Sequence, residues 1–311
     1  MPPWEENGSA LPVRAGDRIG ALSDDILHHL LSFLSVQSAV RTCVLARRWR
    51  HLWRSTTGLR IVGVQKQGHV QDLVKFLHHL LILHERSVLD TVEIEFSEFL
   101  KDGVPYVNLW IRFAVQWGVC ALTVEINHSE HLYLDRLPLV SRRLTTLHLD
   151  GLGLQETFLD FSSCPTLEDL KMQLCDINVR KISSRSLKRL SIMDCQSDLN
   201  YQFVFTRDLK RSPTFSKLKT LLLNEYWCVA PDLDPLACIL KNSPVLEKPT
   251  LQLFYTGGDH IEMKGSCSSM ERSSAISEHL NIVEVKFHKI DKRVHKVLKF
   301  LCTFNIRFSF E

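Results

Sequence analysis

Apolar positions recur along the chain with two different periods, and the change of period divides it. Between residues 17 and 60 the period is helical: Leu27, Leu30, Leu31 and Leu34 follow at i, i+3, i+4 and i+7, one face of an amphipathic helix. Ser23 stands where a cap for the free amides belongs, and Asp24 and Asp25 in the first turn complement the helix dipole. Ser35 to Gln37 break that helix, and a short second one carries Ala39, Val40 and Cys43. A third, from Ala46 onward, turns Trp49, Leu52 and Trp53 to one side and Arg47, Arg50 and Arg54 to the other, at about 100° per residue. Three short helices close only a small core, so Ile26 and Phe33, off the leucine face, are left for a partner. Residues 61–84, with the stretch LVKFLHHLLIL, read as a helical linker.

From residue 85 the period shortens. The template L-x-x-L-x-L recurs as LDTVEI (89–94), VCALTV (119–124), LTTLHL (144–149), LEDLKM (167–172), LKRLSI (187–192), LKTLLL (218–223), a degraded LEKPTL (246–251) and LNIVEV (280–285). LEDLKMQLCDI, Leu167 to Ile177, fits the longer leucine-rich-repeat template, and Cys195 occupies the position equivalent to Cys175. Cys164, Cys175 and Cys195 are then core or connector thiols, and no histidine joins them at metal-ligand spacing. Residues 85–256 are expected to form an irregular solenoid in which each copy adds one parallel strand, burying residues such as Leu147 and Leu149 and turning their neighbours onto an exposed concave face. On that face the candidate binding residues are Glu93, Glu125, His148, Asp150, Asp169, Lys171, Arg189 and Asn224, beside Glu95, Thr146, Ser191, Thr220, Leu222 and Glu284. Six of these are acidic and two basic, which suits a protein surface better than a polyanion. Pro249 stands where a leucine is expected and predicts a weakened or edge strand. Residues 257–275, rich in Gly, Ser and charge, read as a mobile loop; residues 276–311 give a strand, then a helix with Val294, Val297, Leu298 and Leu301 on one face and Lys289, Lys292, Arg293, Lys296 and Lys299 forming a basic one.

Composition narrows the function. The chain has 311 residues, 45% hydrophobic and 23% charged, in the ordinary globular range. No run of eighteen apolar residues exists, so no membrane span is expected. Residues 1–16 lack the basic start and apolar core of a signal peptide and read as a disordered lead-in. Nine cysteines, an odd number without a CxxC pair, then suit reduced thiols and a cytoplasmic or nuclear location. No phosphate loop, G-x-S-x-G elbow, H-E-x-x-H or carboxylate pair emerges, so no catalysis, metal or cofactor is expected. Net charge is only +3, but residues 14–60 carry eight arginines against three aspartates. That basic unit favours an acidic partner. It does not favour nucleic acid, because strand-tracking surfaces need rings and cations on one face and here they are segregated.

The stretch DRIGALSDDILHHLLSFLSVQSAVRTCVLARRWRHLW resembles the F-box of plant F-box proteins, whose pattern is D-R-I-S-x-L-P-D-x-L-L-x-x-I-L-S-F-L-P followed by S-R-R-W-R-x-L-W. Ser23 and Ser35 replace two prolines of that pattern. The resemblance implies docking on a Skp-type adaptor, and through it a cullin-RING ubiquitin ligase, by Leu22, Asp25, Ile26, Leu27, Leu30, Leu31 and Leu34, supported by Val40, Val44, Trp49 and Trp53. The irregular repeats are similar to those of plant leucine-rich-repeat F-box proteins, and residues 276–311 resemble the FBD region at the end of many of them. The expectation is therefore an α/β chain: a small three-helix F-box at 17–60 followed by a leucine-rich-repeat solenoid, a curved parallel sheet with helices and loops outside. It would be the substrate receptor of a Skp-cullin-F-box ubiquitin ligase, with an unknown protein as substrate. The alternative is a protein-binding repeat scaffold that recruits no cullin.

Overall fold

A computed structural model describes residues 19, 21–63, 70–83, 89–96, 104–127, 131–155, 158–178, 182, 184–195, 215–224, 233–254, 280, 282–303 and 306–310. The expected disordered lead-in at 1–16 and mobile loop at 257–275 lie outside the described residues. The helical unit comprises α1 (Asp24–Ser32), α2 (Val36–Arg41), a 3-10 turn (Thr42–Val44) and α3 (Trp49–Leu52), continued by a second 3-10 turn (Trp53–Ser55). Its interior is built from Leu27 and Leu31 of α1 against Trp49, Leu52 and Trp53, all buried. Arg47 and Arg50 face water, and the Arg54 guanidinium lies 5.5 Å from the Trp53 ring centre. The capping expectation needs correcting: Ser23 occupies the N-cap of α1 but its side chain makes no cap hydrogen bond, whereas the Ser35 hydroxyl accepts from the Ser38 amide and caps α2.

Every copy of the sequence template becomes a strand. They are β2 (Thr91–Phe96), β3 (Ala121–Ile126), β5 (Thr146–Asp150), β7 (Asp169–Gln173), β9 (Arg189–Met193), β10 (Thr220–Asn224), β11 (Lys248–Gln252) and β12 (Ile282–Lys286). Two further strands extend the sheet at its ends, β1 (Gly58–Gly63) and β13 (Arg307–Phe310). All ten pair in parallel in the order β1-β2-β3-β5-β7-β9-β10-β11-β12-β13. The sheet thus starts within the stretch read as the end of the helical unit and the linker, and the linker helix α4 (Val70–Leu83) follows its first strand. Short strands β4 (Leu132–Tyr133), β6 (Leu152–Gln155) and β8 (Asp176–Asn178) form a second parallel layer. Helices α5 (Val104–Gln116), α6 (Asp234–Lys241) and α7 (Lys292–Cys302) complete the described elements.

Alternation fixes which side chains enter the core. Leu122 and Val124, Leu147 and Leu149, Leu170 and Met172, and Leu190 and Ile192 line up in adjacent strands and are almost wholly buried. They join Leu77, Val107, Trp110, Leu236 and Val297 from the helices in one continuous cluster. Cys175 and Cys195 sit in this interior one repeat apart, the Cys175 amide 3.4 Å from the Cys195 sulfur. Burial pushes the Cys195 thiol well up, and donation between the two sulfurs draws Cys175 down. Pro249 is not on an edge strand: β11 lies between β10 and β12, and Pro249 precedes the first residue paired to β12, so its missing N–H breaks no bond of that ladder.

Helix α7 packs Val294, Val297 and Leu301 against the end of the sheet, as its periodicity predicts. Its start is fixed by Asp291, whose carboxylate accepts from the amides of Arg293 and Val294, each at 2.9 Å. Burial pulls this carboxyl upward, but the Val294 amide and the Arg293 amide and guanidinium outweigh it and hold it below the usual range. Asp291→Ala is expected to cost about 1 kcal/mol in chemical denaturation. Because the folded-state value is depressed, this contribution is present above the unfolded carboxylate range and lost as pH falls through the folded value. The gap between the two proteins should close on acidification.

Candidate docking surfaces

The helical unit is tied to the first strand of the sheet. Ser35 bridges to Arg60 of β1, and the Gln37 side-chain amide donates to the Val62 carbonyl at 3.3 Å. Much of the unit's exposed surface is apolar. Ile19, Ile26, Leu30, Phe33, Leu34, Val44 and Leu45 are all exposed, Val44 to 88% and Phe33 to 62%. A small folded unit with so much apolar surface in one short stretch has the composition of a docking face. Arg48 of the third-helix region pairs with Asp24 at 2.5 Å and ties it to the first turn of α1, bordering that face with charge.

The eleven residues expected to dock an adaptor divide by burial. Ile26, Leu30, Leu34, Val44 and Asp25 are exposed, and Leu22 and Val40 are half-buried against the core. Leu27 and Leu31, at 0% and 1% exposure, have no surface to offer and are corrected to interior residues. Trp49 and Trp53 are buried beside them, which suits only a supporting place. The split has a geometric cause: Leu27 and Leu31 are one helical turn apart and face α3, Leu30 points about 60° from Leu27 and about 100° from Leu31, and Leu34 lies beyond the C-cap at Phe33. Two further exposed apolar residues, Ile19 and Leu45, were not among the eleven, whereas Phe33, also outside them, had been set aside for a partner by its place off the leucine face.

The second surface is the outward face of the ten-stranded sheet. Glu93, Glu125, His148, Asp150, Asp169, Lys171, Arg189 and Asn224 all fall on it, on β2, β3, β5, β7, β9 and β10. Register arranges the face in rows: Arg60, Glu93, Thr123, His148, Lys171 and Ser191 stand side by side, and so do Val62, Glu95, Glu125, Asp150 and Gln173. Neighbours in a row are about 4.8 Å apart. Much of the charge is spent internally. Arg60 lies 3.2 Å from Glu93 and 2.9 Å from Glu95, and Arg189 lies 2.8 Å from Asp169. Arg60, Lys248 and Lys286 add cations beyond the candidate residues, so the face is closer to electrical balance than six acids against two bases.

At the centre of the face His148 is held 3.8 Å from Glu125. Burial lowers its pKa, helped by Lys171 and opposed by Asp169. Burial and the Glu125 charge raise the Asp150 carboxyl, with Lys171 opposing. One nitrogen of His148 (Nε2) and the side-chain oxygens Oδ1 of Asp150 and Asn224 have neither exposed surface nor a hydrogen-bond partner among the described residues. The centre of the face is thus polar and mixed in charge, with three of its polar atoms enclosed without a partner among the described residues.

Comparison with known proteins now adds to the geometry. Residues 19–59 match the F-box domain. The chain is 24% identical over 285 residues to an F-box/FBD/LRR-repeat protein of Arabidopsis thaliana, covering 82% of this chain and 64% of that one. A second Arabidopsis F-box/FBD/LRR-repeat protein is 33% identical over 210 residues, 57% of this chain and 47% of the relative. A putative FBD-associated F-box protein of the same plant is 30% identical over 159 residues, 51% of this chain and 39% of its own. The chain therefore spans less than two thirds of the length of each of these relatives.

Proposed function

We propose that this chain, an F-box protein of the plant leucine-rich-repeat and FBD type, is the substrate receptor of a Skp-cullin-F-box ubiquitin ligase. The observation that carries the reading is the set of apolar side chains of the F-box, between Ile19 and Leu45, that the chain leaves exposed. A Skp-type adaptor covering that face would bury side chains that the chain's own fold leaves wet, and the arginine-rich surroundings favour an acidic partner. The outward sheet face, with its mixed charges, then receives a protein substrate. The chain itself performs no chemistry in this reading. It holds the substrate beside a charged ubiquitin-conjugating enzyme, raising the effective concentration to roughly the mM range. A cytoplasmic or nuclear location follows from the same role.

Co-expression with a plant Skp-type adaptor, followed by size exclusion and calorimetry, tests it. A stable 1:1 complex is expected. A chain that melts cooperatively but elutes alone would overturn the receptor reading and leave a repeat scaffold that recruits no cullin.

A further inference from the structure

Two successive repeats bring a pair of thiols together in the interior. Gln173 and Met193 are partners in the parallel ladder, and Cys175 and Cys195 each lie two residues further on. Neighbouring strands stand about 4.8 Å apart, inside the span of about 4.4–6.8 Å that a disulfide bridges between Cα atoms. The two residues are placed alike: each sulfur lies against the carbonyl two residues back, Cys175 at 3.1 Å from Gln173 and Cys195 at 3.2 Å from Met193. The Cys175 amide donates to the Cys195 sulfur at 3.4 Å, and the two thiols are hydrogen-bonded to each other. Both are free and wholly buried. Cys164, also buried, faces the Leu139 carbonyl instead.

The backbone marks the same two places. Three residues other than glycine have positive φ among the described residues, and two of them, Leu174 and Asp194, stand immediately before these cysteines. In the preceding repeat the turn is Gly151 followed by Leu152, so the strain is absent where the thiol is absent. Leu174 and Asp194 are exposed, which puts each buried sulfur one residue from solvent, behind a turn that is costly to hold closed.

We propose that Cys175 and Cys195 are a reversible oxidation site, closing into a disulfide that ties two repeats together when hydrogen peroxide reaches them through the opened turns. Cys175 is the attacking thiol. The Cys195 thiol donates toward its sulfur and, with the Leu152 amide, outweighs burial and holds it below the ordinary thiol range, whereas burial and the Cys175 thiol push Cys195 well up. The Cys175 thiolate attacks one peroxide oxygen: the S–O bond forms, the O–O bond breaks, and the leaving hydroxide takes up the proton that Cys175 gave up. Cys195 then attacks the sulfenic sulfur: the S–S bond forms, the S–O bond breaks, and the hydroxyl leaves as water with the Cys195 proton. Two thiols and one peroxide thus give one disulfide and two waters. The link joins the ends of β7 and β9, whose outward residues include Asp169, Lys171 and Arg189, and so stiffens the middle of the outward face. The inference depends neither on adaptor binding nor on a substrate.

The test is tryptic mass mapping of the full chain, treated with hydrogen peroxide at high dilution and then alkylated. Peptides 172–180 and 190–207 are expected to be joined through Cys175 and Cys195, and to separate again in dithiothreitol. The oxidised chain is expected to melt several degrees above the reduced one, a rise lost in Cys195→Ala and kept in Cys164→Ala. The mapping uses the natural chain, so it decides the matter even where Cys195→Ala is unstable. Cys175 and Cys195 left unlinked while the exposed Cys302 is oxidised, a link that forms only in denaturant, or Cys175 joined to another cysteine would each overturn the proposal. So would a link that leaves the melt unchanged.

Discussion

The double variant Ile26→Lys, Leu30→Lys is expected to lose its complex with a Skp-type adaptor while its own thermal transition stays in place. Ile26 and Leu30 are 48% and 44% exposed in the free chain, so lysine at either position reaches water without disturbing Leu27 or Leu31 behind them. In the complex both would be covered. Covering the roughly half of each side chain still open to water contributes about 0.7–1.5 kcal/mol each. Their joint loss raises Kd by about one to two decades, before the cost of trapping two unpaired ammonium groups is added. Two comparisons make the result specific. Leu31→Lys places a charge at 1% exposure and is expected to melt the F-box itself, so its loss of binding would come with a changed transition. Ile82→Lys and Val140→Lys, on apolar residues exposed to 80% and 65% elsewhere on the surface, are expected to leave the complex intact. Binding that survives Ile26→Lys, Leu30→Lys would show that the adaptor, if it binds, uses another face.

How far the sequence exposes this architecture depends on what each element needs from the rest of the chain. The eight template strands were readable because two inward residues per strand, such as Leu147 and Leu149 or Leu170 and Met172, carry the signal locally. Strand β1 was not readable, because its ends are glycines: a Cβ on Gly58 would come within 2.9 Å of the Ser32 side chain, and one on Gly63 within 1.8 Å of the Phe96 ring. Those glycines look like loop residues in sequence and are required by packing against α1 and β2. Strand β13 offers no buried alternation at all, only a half-buried Phe308. For the docking faces, helical periodicity identified the leucines but not which of them the chain would consume itself; that was decided by Trp49, Leu52 and Trp53 closing on Leu27 and Leu31. On the sheet, the template gave the outward positions, and only the register revealed Arg60 between Glu93 and Glu95.

Gly151→Ala is expected to lower the stability of the solenoid markedly, and Leu174→Gly at the equivalent position to raise it little or not at all. Gly151, Leu174 and Asp194 each follow a strand with positive φ, +69°, +49° and +50°. The first two N–H groups donate to the next repeat in the same way, Gly151 to the Gln173 carbonyl and Leu174 to the Met193 carbonyl, both at 3.0 Å. The left-handed turn is therefore a requirement of the repeat, and it costs a residue with a Cβ about 1–2 kcal/mol. Leu174 bears that cost at a position 47% open to solvent. At Gly151 a second term is added, because a Cβ would lie 2.0 Å from the Ile126 carbonyl oxygen, a backbone atom at the end of β3 that moves only with its strand. The sum for Gly151→Ala is on the order of 2–4 kcal/mol, read as a lower midpoint in chemical denaturation. Leu174→Gly relieves the turn but frees the unfolded chain by about 0.5–1 kcal/mol, so its midpoint rises little or not at all. A loss at Gly151 of only about 1–2 kcal/mol would mean that the turn geometry alone sets the cost, and that β3 yields to the added methyl group.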